Sequence, residues 1–185
     1  MAATSGSIST AVSVAIDMKE GIINRFRTMA IARSSVLIGH VVGSMIQTML
    51  SVAAVAGVAV AMGWRPSGGL VAWLAAGGLL TAVVFALTWM AAAMGIVARS
   101  LESASNLPLP FQFLPMLGSG FVPTDSLPAV VRWFAEYQPF TPIIETVRGL
   151  LMAEPIGSDG LLAVGWCVVL SALGFLWARS AFRKN

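Results

Sequence analysis

Charge is what this sequence most lacks. Eleven Lys and Arg and eight Asp and Glu make up 10% of 185 residues, where a soluble domain carries about 25%. Apolar residues fill 57% and the mean hydropathy is +0.85, which excludes a water-soluble globule. One cysteine, Cys167, excludes an intrachain disulfide and a thiolate metal cluster, and its setting in Trp166 to Leu170 reads as apolar filler. The single histidine, His40, has no second histidine to form a cluster. There is no G-x-x-x-x-G-K-[ST] phosphate loop, no H-E-x-x-H and no G-x-S-x-G. Nucleotide binding by such a loop, zinc peptidase chemistry and nucleophile-elbow hydrolysis are therefore not expected, nor is a metal site. Residues 1–16 carry no basic n-region and are only weakly apolar, so no cleavable signal peptide is expected there.

What is present is long uncharged runs. Residues 34–64, 66–98, 103–124 and 160–178 hold no charged side chain over 31, 33, 22 and 19 positions. About 20 apolar residues cross a hydrocarbon core of about 30 Å as a helix. The expected fold is an all-α integral membrane protein of about four transmembrane helices. The first run is longer than the core requires and should tilt or extend. It carries Gly39-His40-Val41-Val42-Gly43, a G-x-x-x-G that permits close helix approach, and places His40 near the inner interface.

Lys19, Arg25, Arg27 and Arg33, then Arg99, then Arg179, Arg183 and Lys184 flank these runs on one side, and Arg65, Arg132 and Arg148 on the other. Eight against three puts both termini in the cytoplasm. The sequence pI near 9.8 reflects this topology rather than nucleic-acid binding.

The third run is unlike the others, because Pro108, Pro110 and Pro115 fall within eight positions. Each proline removes a donor and clashes with the preceding turn, so this helix must kink or partly unwind. Freed carbonyls need partners in lipid, which places the bend inside a bundle or along a wet cavity. Either a path for cargo or a structural bend meets that requirement.

Two amphipathic stretches lie outside the runs. In 17–33, Met18, Ile22, Phe26, Met29 and Ala30 form one apolar stripe among Asp17, Lys19, Glu20, Asn24, Arg27 and Thr28. Such a helix either lies in the headgroups or docks a soluble partner. In 125–159, two short helices are expected to dip into the outer leaflet, the first capped by Ser126 and ended by Pro139. The second is expected to be capped by Thr141, with Pro142 at its first position, and to stop at Pro155 and Gly157. Glu145 and Arg148 can pair on the second, as a solvated surface pair or an outer gate. The uncharged interiors lack the ionisable groups that ion-coupled carriers use, so an energy source must come from a separate component.

Asp17-x-x-x-Gly21-Ile22-Ile23-x-Arg25-Phe26-Arg27 followed by Ala32-Arg33-Ser34-x-Val36-Leu37-Ile38-Gly39 resembles the cytoplasmic loop of ABC type-2 membrane permeases, in particular daunorubicin-resistance-like drug exporters. So do Phe121-Val122-Pro123, Leu127-Pro128, Phe134-Ala135-Glu136-x-Gln138-Pro139-x-Thr141-Pro142 and Arg148-x-Leu150-Leu151. The resemblance implies that 17–33 is the coupling helix on the ATPase subunit, with Gly21, Arg25, Phe26 and Arg27 as motor contacts. It implies a permease subunit that exports a drug-like or lipid-like amphipathic compound from the bacterial cell through the plasma membrane. The chain itself would bind no cofactor and catalyse nothing. ATP and Mg would be used by a cognate ABC ATPase, with a second permease copy, homo- or heterodimeric, and membrane lipid as further partners. Pro108, Pro110 and Pro115 would form the bend in the moving path, and Glu145 and Arg148 the outer gate. The chain departs from the family pattern at Ala30, often proline, and Ser44, often acidic. Family members usually have six spans, and residues 1–16 resemble the inner end of the second. The expectation is a chain lacking the first one to two helices, and the alternative is a truncated, non-transporting fragment or a modulator of a full-length permease.

Overall fold

The computed structural model describes residues 2–19, 34–117 and 137–184, and among these the chain is helical without strands. The helices are α1 (Ala2–Lys19), α2 (Ser34–Ala61), α3 (Leu70–Val97), α4 (Leu101–Asn106), α5 (Leu109–Phe113) followed by a 3-10 turn (Leu114–Leu117), α6 (Phe140–Met152) and α7 (Asp159–Lys184). Three are long and apolar enough to cross a membrane: Ile38–Ala61 in α2, Leu70–Val97 in α3 and Asp159–Ala181 in α7. This is an all-α, multi-pass membrane protein.

Helix α3 is the hub, packed against α1, α2, α6 and α7. Its Ala, Leu and Val composition leaves few polar side-chain groups: the Thr81 and Thr88 hydroxyls donate back to the carbonyls of Gly77 and Val84, and the buried Trp89 indole N–H has no acceptor among the described residues. Its C-terminal half meets α1 and α7 through Trp89, Ala92, Ala93 and Ile96 against Val14, Ala178 and Ala181. Its N-terminal half and middle meet α6 and α7 through Leu79, Val83 and Leu87 against Phe140, Ile143, Ala163 and Cys167. Lipid tails are as apolar as these side chains, so close contact rather than escape from water must hold the helices together. Gly174 supplies it between α7 and α3: a Cβ there would sit 2.8 Å from the Met90 backbone nitrogen. Gly95 does the same between α3 and α1, where a Cβ would lie 2.5 Å from the Ala11 carbonyl.

Several boundaries differ from the sequence expectation for local reasons. The first helix runs through Asp17 to Lys19, and within it the Ser9 and Thr10 hydroxyls donate back to the Gly6 carbonyl. Run 103–124 is not one straight helix. It divides at Leu107–Pro108 and again at Leu114, with Pro110 in the first turn of α5, where a missing donor costs nothing. Helix α6 starts one residue before Thr141, with Pro139 rather than Thr141 at the N-cap. It stops before Pro155, at Met152, because Ala153 turns left-handed with φ 57°.

Candidate functional site

The candidate sites are distributed along the bundle, and one of them is the α1–α2 hairpin. His40 Nε2 donates to Asp17 Oδ2 at 2.5 Å, with side chains 25% and 23% exposed. Farther along, Thr10 Oγ1 and Ser44 Oγ lie 2.8 Å apart. Beyond them Thr48, itself buried, packs directly onto the place where Gly6 has no side chain. His40, Ser44 and Thr48 recur every fourth residue, so they occupy one face of α2. This polar seam escaped sequence reasoning, which took His40 for an isolated interfacial residue. The i, i+4, i+8 spacing was the available signal, but nothing in it names α1 as the partner.

The proline break sits at mid-bundle. Pro108 is fully buried and Pro115 is buried, whereas Pro110 is exposed. Pro108 and Phe111 face Ser7 of α1 and Leu87, Met90, Ala91 and Met94 of α3. The break is thus inside protein on one side, as freed backbone groups require. A reciprocal cap precedes it: Ser100 Oγ accepts from the Ser103 N–H and Ser103 Oγ accepts from the Ser100 N–H, both at 3.0 Å.

At the opposite end, α6 is embedded against α3 and α7 by Phe140 and Ile143. Its C-terminal carbonyls are claimed by the α2–α3 turn: the Gly68 N–H donates to Leu151 O at 2.9 Å and the Ser67 hydroxyl to Met152 O at 2.6 Å. Gly68 must be glycine, since a Cβ would collide with the Leu150 carbonyl. Arg148 grips Glu145 through both carboxylate oxygens, at 3.0 and 3.2 Å. Beneath Arg148 lies a cleft of about 520 Å³ floored by Leu80, Ile144, Val147 and Leu151 and edged by Trp64 and Glu154. A second, apolar cleft of about 690 Å³ opens between α2, α3 and α7, lined by Met45, Phe85, Val164 and Val168.

The structure therefore brings Glu145 and Arg148 together and places Pro108, Pro110 and Pro115 around one break. Gly21, Arg25, Phe26 and Arg27 lie outside the described residues, as do Ser126 and the first outer helix. Gly39 and Gly43 meet nothing within 4 Å, so the close approaches within the chain are made by Gly6, Gly95 and Gly174 instead. Among the described residues no three His, Cys, Asp or Glu side chains converge as metal ligands.

The chain is 24% identical over 167 residues to a protein named daunorubicin resistance ABC transporter permease protein DrrB1 from Streptomyces coeruleorubidus, covering 90% of this chain. It is 25% identical to a probable doxorubicin resistance ABC transporter permease protein DrrC from Mycobacterium tuberculosis, covering 94% of this chain. The chain spans 58% of the first relative's length and 66% of the second's. No solved structure matches it significantly. The ABC-2 type transporter family profile matches residues 1–152, taking in α1 to α6 with the seam, the proline break and the outer pair, and the chain belongs to that family.

Proposed function

We propose that the chain is a membrane-spanning permease subunit of an ATP-driven exporter, moving a drug-like or lipid-like amphipathic compound out across the bacterial plasma membrane. Both termini face the cytoplasm, on the side of the eight basic residues that flank the spans. A cognate ABC ATPase binds ATP and Mg and docks on residues 17–33, with Gly21, Arg25, Phe26 and Arg27 in the contact, and a second permease copy completes the pathway. The observation that carries this reading is the family match over residues 1–152. The names of the relatives support a drug-like cargo, and the cleft beside α6, edged by Arg148 and Glu154, and the apolar cleft between α2, α3 and α7 are compatible with one.

Motor closure would push the coupling segment against the inner ends of α1 and α2. The bend at Pro108, Pro110 and Pro115 lets the adjoining helix change direction without breaking an intact hydrogen-bond ladder. The test is co-purification with a co-expressed ABC ATPase subunit, followed by ATP-dependent efflux of doxorubicin fluorescence from proteoliposomes. Arg25→Ala with Phe26→Ala should abolish recovery of the ATPase, and unchanged recovery would refute docking there. Recovery of the ATPase without efflux would favour the non-transporting modulator.

A further inference from the structure

We infer that Asp17 and His40 form a clasp that fixes the separation of the inner ends of α1 and α2, and thereby positions the segment between them. The inference rests on the proposed coupling role of residues 17–33 for its functional meaning, and on the geometry alone for its structural content.

Three observations carry it. First, the two residues are the pair nearest the open end of the hairpin, with Nε2 and Oδ2 2.5 Å apart across 23 positions of sequence. Second, Asp17 lies in the last turn of α1, where the negative end of the helix dipole opposes a carboxylate. A helix gains nothing from an acid there on its own account, so the partner across the hairpin supplies the stabilisation. Third, the other polar contacts of the hairpin, the Thr10–Ser44 hydroxyl pair and the Gly6–Thr48 approach, both lie farther from that end. Val14 of α1 and Val41 of α2, close to the pair, are buried in one apolar cluster with α3 and α7; such packing is non-directional, whereas the hydrogen bond fixes one residue of each helix against the other. Asp17 and His40 are accordingly positioning residues: they act through the helix ends they join, on either side of residues 20–33.

Spin labels test this on the full chain in lipid nanodiscs, with Cys167→Ser as background and labels at Lys19→Cys and Ser34→Cys, the facing ends of α1 and α2. A second labelled pair, Ser9→Cys and Ser51→Cys, reports the far end of the hairpin. The unaltered clasp should give a narrow inner distance distribution. Asp17→Asn or His40→Gln should broaden it at least twofold while the outer pair stays unchanged. The exchanged double variant Asp17→His with His40→Asp should restore the narrow distribution, because it rebuilds the pair and moves the carboxylate away from the helix C-terminus. Unchanged inner distances in the single variants would overturn the clasp. Broadening of both pairs without recovery on exchange would also overturn it, by showing a role in folding only. Neither result depends on a motor, so failure here is distinct from failure of ATPase docking, which co-purification reads separately.

Discussion

Two helix pairs in this bundle solve one problem with different chemistry. The α3–α7 pair is close-packed by small and aromatic residues: Gly174 lies against the Trp89 and Met90 backbone, and the Trp89 ring meets Phe175 edge-on at 5.1 Å and 81°. The α1–α2 pair is joined by Asp17–His40, Thr10–Ser44 and Gly6–Thr48, all polar or next to a hydroxyl. Close packing distributes its energy over many weak contacts and resists separation everywhere. A few hydrogen bonds instead concentrate it at defined points that can open one at a time. The first suits a scaffold and the second a joint, and the two helices of that joint flank residues 20–33.

The comparison breaks most sharply at Gly174. Gly174→Val inserts a branched side chain where even a Cβ would press on backbone atoms that cannot rotate away. Overpacking of this kind costs about 1–3 kcal/mol, read as a lowered unfolding midpoint in detergent by tryptophan fluorescence. A midpoint equal to that of the unaltered chain would mean that α7 is not held tightly on α3.

On the polar side, Thr10→Val keeps the shape and removes a hydroxyl shared with Ser44 and the Gly6 carbonyl. Interhelical hydrogen bonds in membranes average about 0.6 kcal/mol and reach about 1.7, so the fall should be smaller than at Gly174. A double-mutant cycle with Ser44→Ala isolates the pair. Coupling indistinguishable from zero would remove this rung from the joint.

Gly6→Ala sharpens the contrast further, since its Cβ meets the rotatable hydroxyl of Thr48 rather than backbone. Displacing that rotamer costs about 0.5–1.5 kcal/mol, while replacing glycine in a helix returns about 1 kcal/mol. The net change should stay below about 1 kcal/mol, and adding Thr48→Ala should make the variant more stable than the single change alone. The same unfolding midpoints measure it.

How much of this was legible in the sequence depended on how local the cause was. Four uncharged runs announced about four spans because solvation acts on each residue separately, and three of them are long apolar helices among the described residues. The Glu145–Arg148 pair followed from an i, i+3 offset on one helix. The Pro108–Pro115 cluster announced a break because proline acts on its own turn. The seam was not legible, because Asp17 and His40 acquire meaning only from each other across the hairpin. Glycines are opaque for the same reason. Gly39 and Gly43 have the spacing of a close-packing motif and meet nothing within 4 Å among the described residues, whereas Gly174, with no such motif, receives the backbone of α3. A glycine's partner is a tertiary fact.

The smallest effect is expected at the outer pair, and it bears on whether that end resembles joint or scaffold. Arg148 and Glu145 retain 47% and 31% exposure, so water screens their attraction and Glu145→Gln should cost only about 0.3–0.5 kcal/mol, diminishing as salt rises. Unfolding midpoints at low and high ionic strength in detergent supply the measurement. A salt-dependent loss of that size marks a solvated pair that can separate easily when α6 moves. A loss above about 1 kcal/mol that salt does not reduce would mean that the two charges face each other away from water, clamping α6 as firmly as Gly174 seats α7.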